Sequence, residues 1–445
     1  MRTLLVMRKG FDWHADHIST LRHLGFEVHL LTEVPGADVD GRFASVTLVP
    51  PGQDLDLTTQ QATELARKRD IGMALTFIET DIVLASLINQ RLGLPWARPE
   101  ADMIARDKWK QRKFLAANSI PSVRFAPVSS VDEATAEAER IGYPIIIKPT
   151  HAAFSRGVAL VHTPADLERE MRVIQAIALS KSGNYFVGRE EKFALLEEFL
   201  PGIEVTLDGV VIGGRFHLAG VINKMYMPGP YFEENYYSLP FKTPERESEV
   251  IEIAEGITQG LGVRHCLFNV ELRQDNGGRF RVVEFSTRMS GGQNYYNLRE
   301  AHGIDVVRLY AKALHSDDYE TAWSGEVPRI QPRRSTCTAY AYRTGLILRN
   351  FTGAAANSPF FREYIPIARP GDRLARAPKA YDVAGAFSVA SEYEGPDDVS
   401  RIERIAADLD EQLDILVVPD ETDAPLSEHL TSREKPLARG HGKQQ

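Results

Sequence analysis

The sequence predicts an α+β protein led by a small α/β domain and closed by a small C-terminal α+β unit. Three observations predict it: a βαβ pattern at the start, strands and helices in separate runs through the middle, and an acidic hairpin at residues 268–288. Residues 4–7 form a short apolar strand, a helix ends at residues 21–25, and residues 28–31 form a second strand. Residues 73–77 and 80–92, followed by Gly93-Leu94-Pro95, add a strand and a helix, so residues 1–100 form the α/β domain. From Asp107 the pattern changes: a helix through Leu115, a loop at Ile120-Pro121, a helix at 131–141, a strand at 144–148 and a helix at 164–179. Strands then dominate at 194–199, 204–212 and 215–222, the last two joined as a hairpin at Gly213-Gly214. A helix at 246–261 precedes the acidic hairpin and another at 304–314 follows it. Pro328 and Pro332 mark a boundary. Beyond it, strands at 336–344 and 386–393 and an amphipathic helix at 397–416 make a third unit. The expected divisions are 1–100, 101–193, 194–328 and 329–418, with residues 419–445 a disordered tail of mixed charge and few large apolar residues.

Composition excludes several functions. At 445 residues, 43% hydrophobic and 25% charged, the chain has material for about two to four ordinary domains. A formal net charge of -9 speaks against a dedicated nucleic-acid binder. The two cysteines, Cys266 and Cys337, are too few for a disulfide framework and lack metal-ligand spacing, which fits a reducing compartment. No signal-peptide core and no membrane-spanning run are legible, so a cytoplasmic protein is expected. After Met7 comes Arg8-Lys9-Gly10-Phe11 with no G-x-G-x-x-G, and no G-x-x-x-x-G-K-[ST] occurs anywhere. Dinucleotide and P-loop readings lose their support.

The hairpin carries the most information. If Gly277-Gly278 is a two-residue turn, Glu271 faces Glu284 across the strands. Phe268, Val270, Leu272, Val283 and Phe285 then fill one side, while Asn269, Glu271, Glu284, Ser286 and Arg288 make the polar one. Like charges directly opposed destabilise a sheet, so the pair is expected to hold a cation. Hard carboxylate oxygens favour Mg2+ or Mn2+, and Mg2+ held by one or two carboxylates shares its other sites with phosphate and water. The bland alternative is an exposed hairpin with solvated acids.

Lys148 ends the apolar strand Ile145-Ile146-Ile147-Lys148 beside a loop, 149–157, that could fold over phosphates. The segment from Leu195 to Glu204 offers an apolar strand, two acids and a turn, suited to a base edge and ribose hydroxyls. Each piece alone has an ordinary structural reading.

Their order is specific. Arg106-Asp107-Lys108 with Arg112 and Ile120-Pro121, then Tyr143-Pro144-Ile145-Ile146-Ile147-Lys148-Pro149, Glu197-Glu198-Phe199-Leu200-Pro201-Gly202-Ile203-Glu204, Asn269-Val270-Glu271-Leu272 and Glu284-Phe285-Ser286-Thr287-Arg288-Met289-Ser290-Gly291-Gly292 together resemble the ATP-grasp superfamily, over about residues 95–314. Within it the chain looks most like carboxylate-amine ligases, particularly the L-amino-acid ligases. The resemblance implies an ATP-grasp fold with lobes at 101–193 and 194–328 behind a pre-ATP-grasp domain.

It also implies roles. Lys108 and Lys148 would contact ATP phosphates, Glu197 the adenine amino group, the backbone of Glu198 and Leu200 the base edge, and Glu204 the ribose. Glu271 and Glu284, with Ser286, would hold two Mg2+ ions (or Mn2+). Arg288 and the backbone N–H of Gly291 would stabilise the acyl phosphate and tetrahedral intermediate. Glu79 would sit near the substrate amine. Apart from the resemblance, Lys224 with the aromatic, proline-bearing stretch to Tyr237 looks like a lid or substrate loop, the bland alternative being an ordinary packed loop rich in aromatics. Two departures stand out: Ser286 replaces the usual Asn, and the phosphate loop has one glycine, Gly157, beside Phe154 and Arg156.

The expected function is ATP-dependent joining of the carboxylate of an amino acid or small acid to an amine through an acyl phosphate, releasing ADP and phosphate. The alternatives are a bicarbonate-using carboxylase or nucleotide-biosynthetic ligase, and an inactive nucleotide-binding regulator. Small-molecule partners and a homodimer are expected, with no nucleic acid or membrane partner.

Overall fold

The computed structural model describes residues 1–9, 14–37, 41–151, 155–179, 192–315 and 332–419. Arg2–Val6 (β1), Glu27–Thr32 (β2), Ser45–Leu48 (β3) and Met73–Leu75 (β4) form a parallel sheet in the order β3-β2-β1-β4. Its central strand is buried almost throughout (Leu4, Leu5 and Val6 at 0% exposure), as expected for a parallel sheet covered on both faces. Helices Leu55–Lys68 and Ile82–Arg91 pack beside it, the first capped by Asp54, whose carboxylate accepts from the Asp56 and Leu57 N–H groups.

Phe125–Val128 (β5), Ile145–Pro149 (β6), Ala159–Val161 (β7) and Ala194–Glu198 (β8) form an antiparallel sheet in the order β5-β8-β6-β7. Helices Val131–Ile141 and Pro164–Leu179 cover it, burying Ala134, Ala138, Leu167 and Ile174 against Ile145 and Leu196. Ser130 caps the first through the Glu133 N–H.

A large antiparallel sheet takes up most of the remaining strands: Glu204–Ile212 (β9), Arg215–Tyr226 (β10), Glu234–Leu239 (β11), Cys266–Gln274 (β12), Phe280–Ser286 (β13) and Arg334–Ala341 (β14). Gly345–Phe351 (β15), Phe361–Pro366 (β16), Arg373–Leu374 (β17), Gly385–Glu392 (β18) and Asp414–Val418 (β19) follow. The eight-stranded order is β13-β12-β9-β10-β11-β14-β18-β16, and a small sheet runs β17-β15-β19. Strands from the 194–328 and 329–418 stretches therefore share one sheet, joined where β11 pairs with β14. β9, an interior strand between β12 and β10, is buried along its whole length.

Three expectations are corrected. The helix placed at 397–416 ends at Asp410, and Asp414–Val418 is a strand, because Ile415 and Val417 alternate onto the small core beside Ile347. The lid-like stretch from Lys224 to Tyr237 is a hairpin: its ends belong to β10 and β11, with Lys224 paired to Tyr237. The acidic hairpin does not turn at a two-residue Gly277-Gly278 corner. Gln274 pairs with Phe280, the Asp275 N–H donates to the Arg279 carbonyl at 2.9 Å, and Gly278 takes φ +74° within a longer connection. A β-bulge then inserts Val283, and this returns Glu271 to its place opposite Glu284. Val282, not Val283, enters the core (0% exposure), while Val283 lines the cleft.

The tail expected beyond Pro419 lies outside the described residues, as do Pro328 and the part of the 149–157 loop at 152–154. Among the described residues, no helix is long and apolar enough to cross a membrane, and both cysteines are free and buried.

Candidate active site

One cleft of about 220 Å³ runs between the two antiparallel sheets. Glu79, Lys108, Lys148, Glu197, Glu198, Leu200, Glu204, Lys224, Glu271, Glu284, Ser286, Arg288 and Gly291, the thirteen residues singled out in the sequence, all line it. They come from distant stretches, on several strands and helices and on the loops that follow β8 and β13.

Lys148 is the penultimate residue of β6 and is buried. Its Nζ lies 2.8 Å from Glu197 Oε2, and Arg112 Nε holds the other oxygen of Glu197 at 2.6 Å. Burial drives the Lys148 pKa down to about 8, the Arg112 and Lys108 cations add to this, and Glu197 opposes it. Glu197 itself resists burial, but Arg112 and Lys148 hold its carboxyl below the usual range. Glu198 turns outward to Arg124, 2.6 Å away, and its N–H donates to the Arg124 carbonyl. Val123, Ile146, Phe199 and Leu200 make this end of the cleft apolar.

Glu204 starts β9. Tyr226 Oη donates to it at 2.5 Å, and Arg273 and Lys224 stand 3.3 Å and 3.4 Å from its oxygens. Period two puts Thr206 and Asp208 on the same face as Glu204. Asp208 is fully buried and accepts from the Ser290 N–H at 2.8 Å, from Asn269 Nδ2 at 3.0 Å and from the Ser290 hydroxyl. It fixes the 288–292 loop to the sheet. An acid inside the apolar run of β9 was the sequence signal for it.

Glu271 and Glu284 face each other across β12 and β13. Glu271 Oε2 is 3.0 Å from Lys224 Nζ, and Glu284 Oε1 is 2.7 Å from Lys108 Nζ. Burial pushes Glu271 up to about 7; Lys224 opposes this, and Glu204, Glu284 and Glu234 add to it. Lys224, buried among Glu271, Glu204 and Glu234, is held charged, its pKa well above the ordinary lysine range despite the desolvation.

Ser286 does not simply replace an amide ligand. Its hydroxyl donates to Glu79 Oε2 at 2.8 Å, and Arg288 also pairs with that oxygen, while Arg106 holds Oε1 at 2.9 Å. Burial opposes the charge on Glu79, but Arg288 and Arg106 outweigh it and bring the carboxyl to about 2. Glu79 thus ties the N-terminal sheet to the hairpin, a link invisible in sequence spacing. The cleft also takes Tyr226, Phe232, Glu234 and Tyr237 from the stretch read as a lid or substrate loop, and Asn294 and Tyr340, to which no role was given. Tyr340 comes from β14, and nothing in its neighbourhood along the chain marks it.

Among the described residues no group of three or more His, Cys, Asp or Glu side chains converges in metal-ligating geometry. Glu271 and Glu284 instead offer a two-carboxylate site, which suits a hard divalent cation completed by phosphate and water. The high pKa of Glu271 fits too: an acid kept costly to ionise by burial and then by neighbouring acids gains from a cation.

Residues 141–296 match the family model of the ATP-grasp domain. The chain carries an ATP-grasp domain. The chain is similar to alanine–anticapsin ligase of Bacillus subtilis (strain 168), 25% identical over 237 residues that cover 51% of this chain and 50% of that protein. It is 27% identical to human (Homo sapiens) carnosine synthase 1 over 319 residues, covering 67% of this chain and 37% of that protein. The chain thus spans about half the length of these curated relatives, or less. The crystal structure of an L-amino acid ligase from Bacillus licheniformis superposes with a TM-score of 0.78 at 19% identity, covering 94% of this chain and 98% of that one. The shared fold therefore extends beyond the matched residues, to the parallel sheet before them and the strands from β14 onward after them.

Proposed function

We propose that the protein is an ATP-dependent carboxylate-amine ligase that forms an amide between an amino acid or small acid and an amine, releasing ADP and phosphate. The observation that carries the reading is the opposition of Glu271 and Glu284 in a cleft that also presents Lys108 and Lys148. The names of the similar proteins, an alanine–anticapsin ligase and an L-amino acid ligase, point the same way.

A carboxylate resists attack by an amine because its oxygen leaves poorly, and phosphorylation by ATP cures this. In this reading the base stacks in the apolar end beside Leu200 and Phe199 with its edge against the Glu198 carbonyl, while Glu204 takes the ribose. Glu197, with one oxygen on Arg112 and the other on Lys148, aims that lysine at phosphate in addition to any contact with the base. Glu271 and Glu284 would hold Mg2+ or Mn2+, which supplies charge neutralisation at the transferred phosphoryl group. Arg288 and the Gly291 N–H face the carboxyl being activated, where negative charge develops. Glu79, ionised and held by Arg106 and Arg288, is placed to receive the cationic end of a substrate.

ADP release measured against a panel of acids and amines tests this. Dependence on both an acid and an amine supports it; dependence on bicarbonate alone, or nucleotide binding without turnover, rules it out.

A further inference from the structure

The end of the cleft away from the apolar base site is built around a helix start. Helix Asn294–His302 begins directly after Gly291-Gly292, with Gln293 in the left-handed region at φ 62°. That turn swings Asn294 inward, and its N–H donates to the Gly291 carbonyl at 3.4 Å. Asn294 is 1% exposed and lines the cleft, yet neither its Oδ1 nor its Nδ2 has a hydrogen-bond partner among the described residues. Leaving a buried donor and a buried acceptor unmade is costly, and folded chains rarely do so without a use for them. Because both atoms are open, the observation does not depend on which way the amide is turned.

The neighbours narrow what could meet it. Tyr237 and Tyr340 close this end with rings 6.3 Å apart at 72°, offering flat apolar surface. Lys224 and Glu234, also on this wall, are already paired with each other at 3.4 Å. A carboxylate would use only the Asn294 donor and set an anion against its oxygen. An ammonium would use only the acceptor. A group that carries both a donor and an acceptor in one plane satisfies both atoms at once, as two amides do when they pair.

We propose that Asn294 reads the side chain of the substrate acid, and that this acid bears a neutral carboxamide on a short aliphatic stem. The proposal rests on the ligase reading, which puts the activated carboxyl at Arg288 and at Gly291, the latter three residues before Asn294. A site built to hydrogen-bond a substrate group discriminates strongly against an analogue lacking it, because its own polar atoms are then left unpaired.

Calorimetric titration of the full-length protein, saturated with Mg2+ and adenylyl imidodiphosphate, with L-glutamine, L-asparagine, L-glutamate and L-leucine tests this without turnover. The expected result is that a carboxamide acid binds roughly ten- to a hundredfold more tightly than L-leucine or L-glutamate. Asn294→Leu, checked for folding by its thermal melt, is expected to erase that preference. Equal or tighter binding of L-leucine by the native protein, no binding of either carboxamide acid, or an unchanged preference in a folded Asn294→Leu protein overturns the proposal; if that variant does not fold, the native ranking alone decides. ADP release run in parallel separates the two readings: turnover with aliphatic acids only sinks the carboxamide and spares the ligase, whereas no turnover with any acid and amine sinks the ligase.

Discussion

Lys108 Nζ lies 2.7 Å from Glu284 Oε1, although 176 residues separate them. The pair joins the first residue of helix Lys108–Ala117 to β13. It neutralises both groups in the free protein, and nucleotide with a divalent ion would give each a stronger partner, phosphate for the lysine and metal for the acid.

Glu284→Ala removes one of the opposed acids and with it the Lys108–Glu284 ion pair. Electrostatic support of phosphoryl transfer by a bound metal is worth several kcal/mol, so ADP formation is expected to fall at least about a hundredfold. The fold should persist, since Glu284 lies on the cleft side of the hairpin and its loss opens no cavity in the Phe268–Phe285 core. A coupled ADP assay with a circular-dichroism melt checks both, and retained turnover refutes the metal assignment.

Lys148 gives a pH signature. With its pKa brought down from 10.5 to about 8, it is charged below about pH 8 and loses its proton above. ATP affinity is therefore expected to weaken as pH rises from about 8 toward 10, while in Lys148→Met it is weaker at pH 7 and flat across that window. For folding the sign is opposite. Between about 8 and 10.5 the unfolded chain binds the extra proton, so this group's contribution to stability improves as pH rises. Nucleotide titrations at fixed ionic strength from pH 6 to 10 measure the first effect.

Arg112 is 1% exposed and bonds Glu197 Oε1 and the Val283 carbonyl, each at 2.6 Å. Arg112→Leu leaves a buried carboxylate with only Lys148 of its two cations, and breaking such a buried pair costs about 3–5 kcal/mol. The expected loss appears in urea unfolding, and adding Glu197→Gln is expected to recover part of it. A double-mutant cycle with no coupling contradicts the pairing.

Asp208 touches no reacting atom but positions Ser290, and with it Gly291. Asp208→Ala is expected to lower kcat by up to about a hundredfold, the scale of a small misplacement, while ATP affinity holds. Equal losses in kcat and ATP affinity would point to general collapse of the cleft.

The strands were legible where apolar runs meet turn residues, as in Glu204–Ile212, whose ends were read correctly. The helix at Pro164–Leu179 was equally clear. What failed was local geometry without a periodic signal. Nothing in Arg281-Val282-Val283-Glu284 announces a bulge, so the facing of Glu271 and Glu284 was right for a turn that is different and a Val283 that points the other way. Leu413 and Leu416 continue the i+4 and i+7 spacing from Leu409 closely enough to hide a strand. In the site, residues within motifs were found, whereas Glu79's clasp on Ser286 and Tyr340's arrival from β14 depend on long-range packing that one sequence does not display.

Anomalous diffraction from crystals grown with ADP and Mn2+ puts the metal assignment to proof. A Mn2+ peak between the two hairpin acids, about 2.0–2.2 Å from an oxygen of both Glu271 and Glu284, is the expected result. Nucleotide bound in the cleft with no such peak, and Lys108 and Lys224 still holding the two carboxylates, would contradict it.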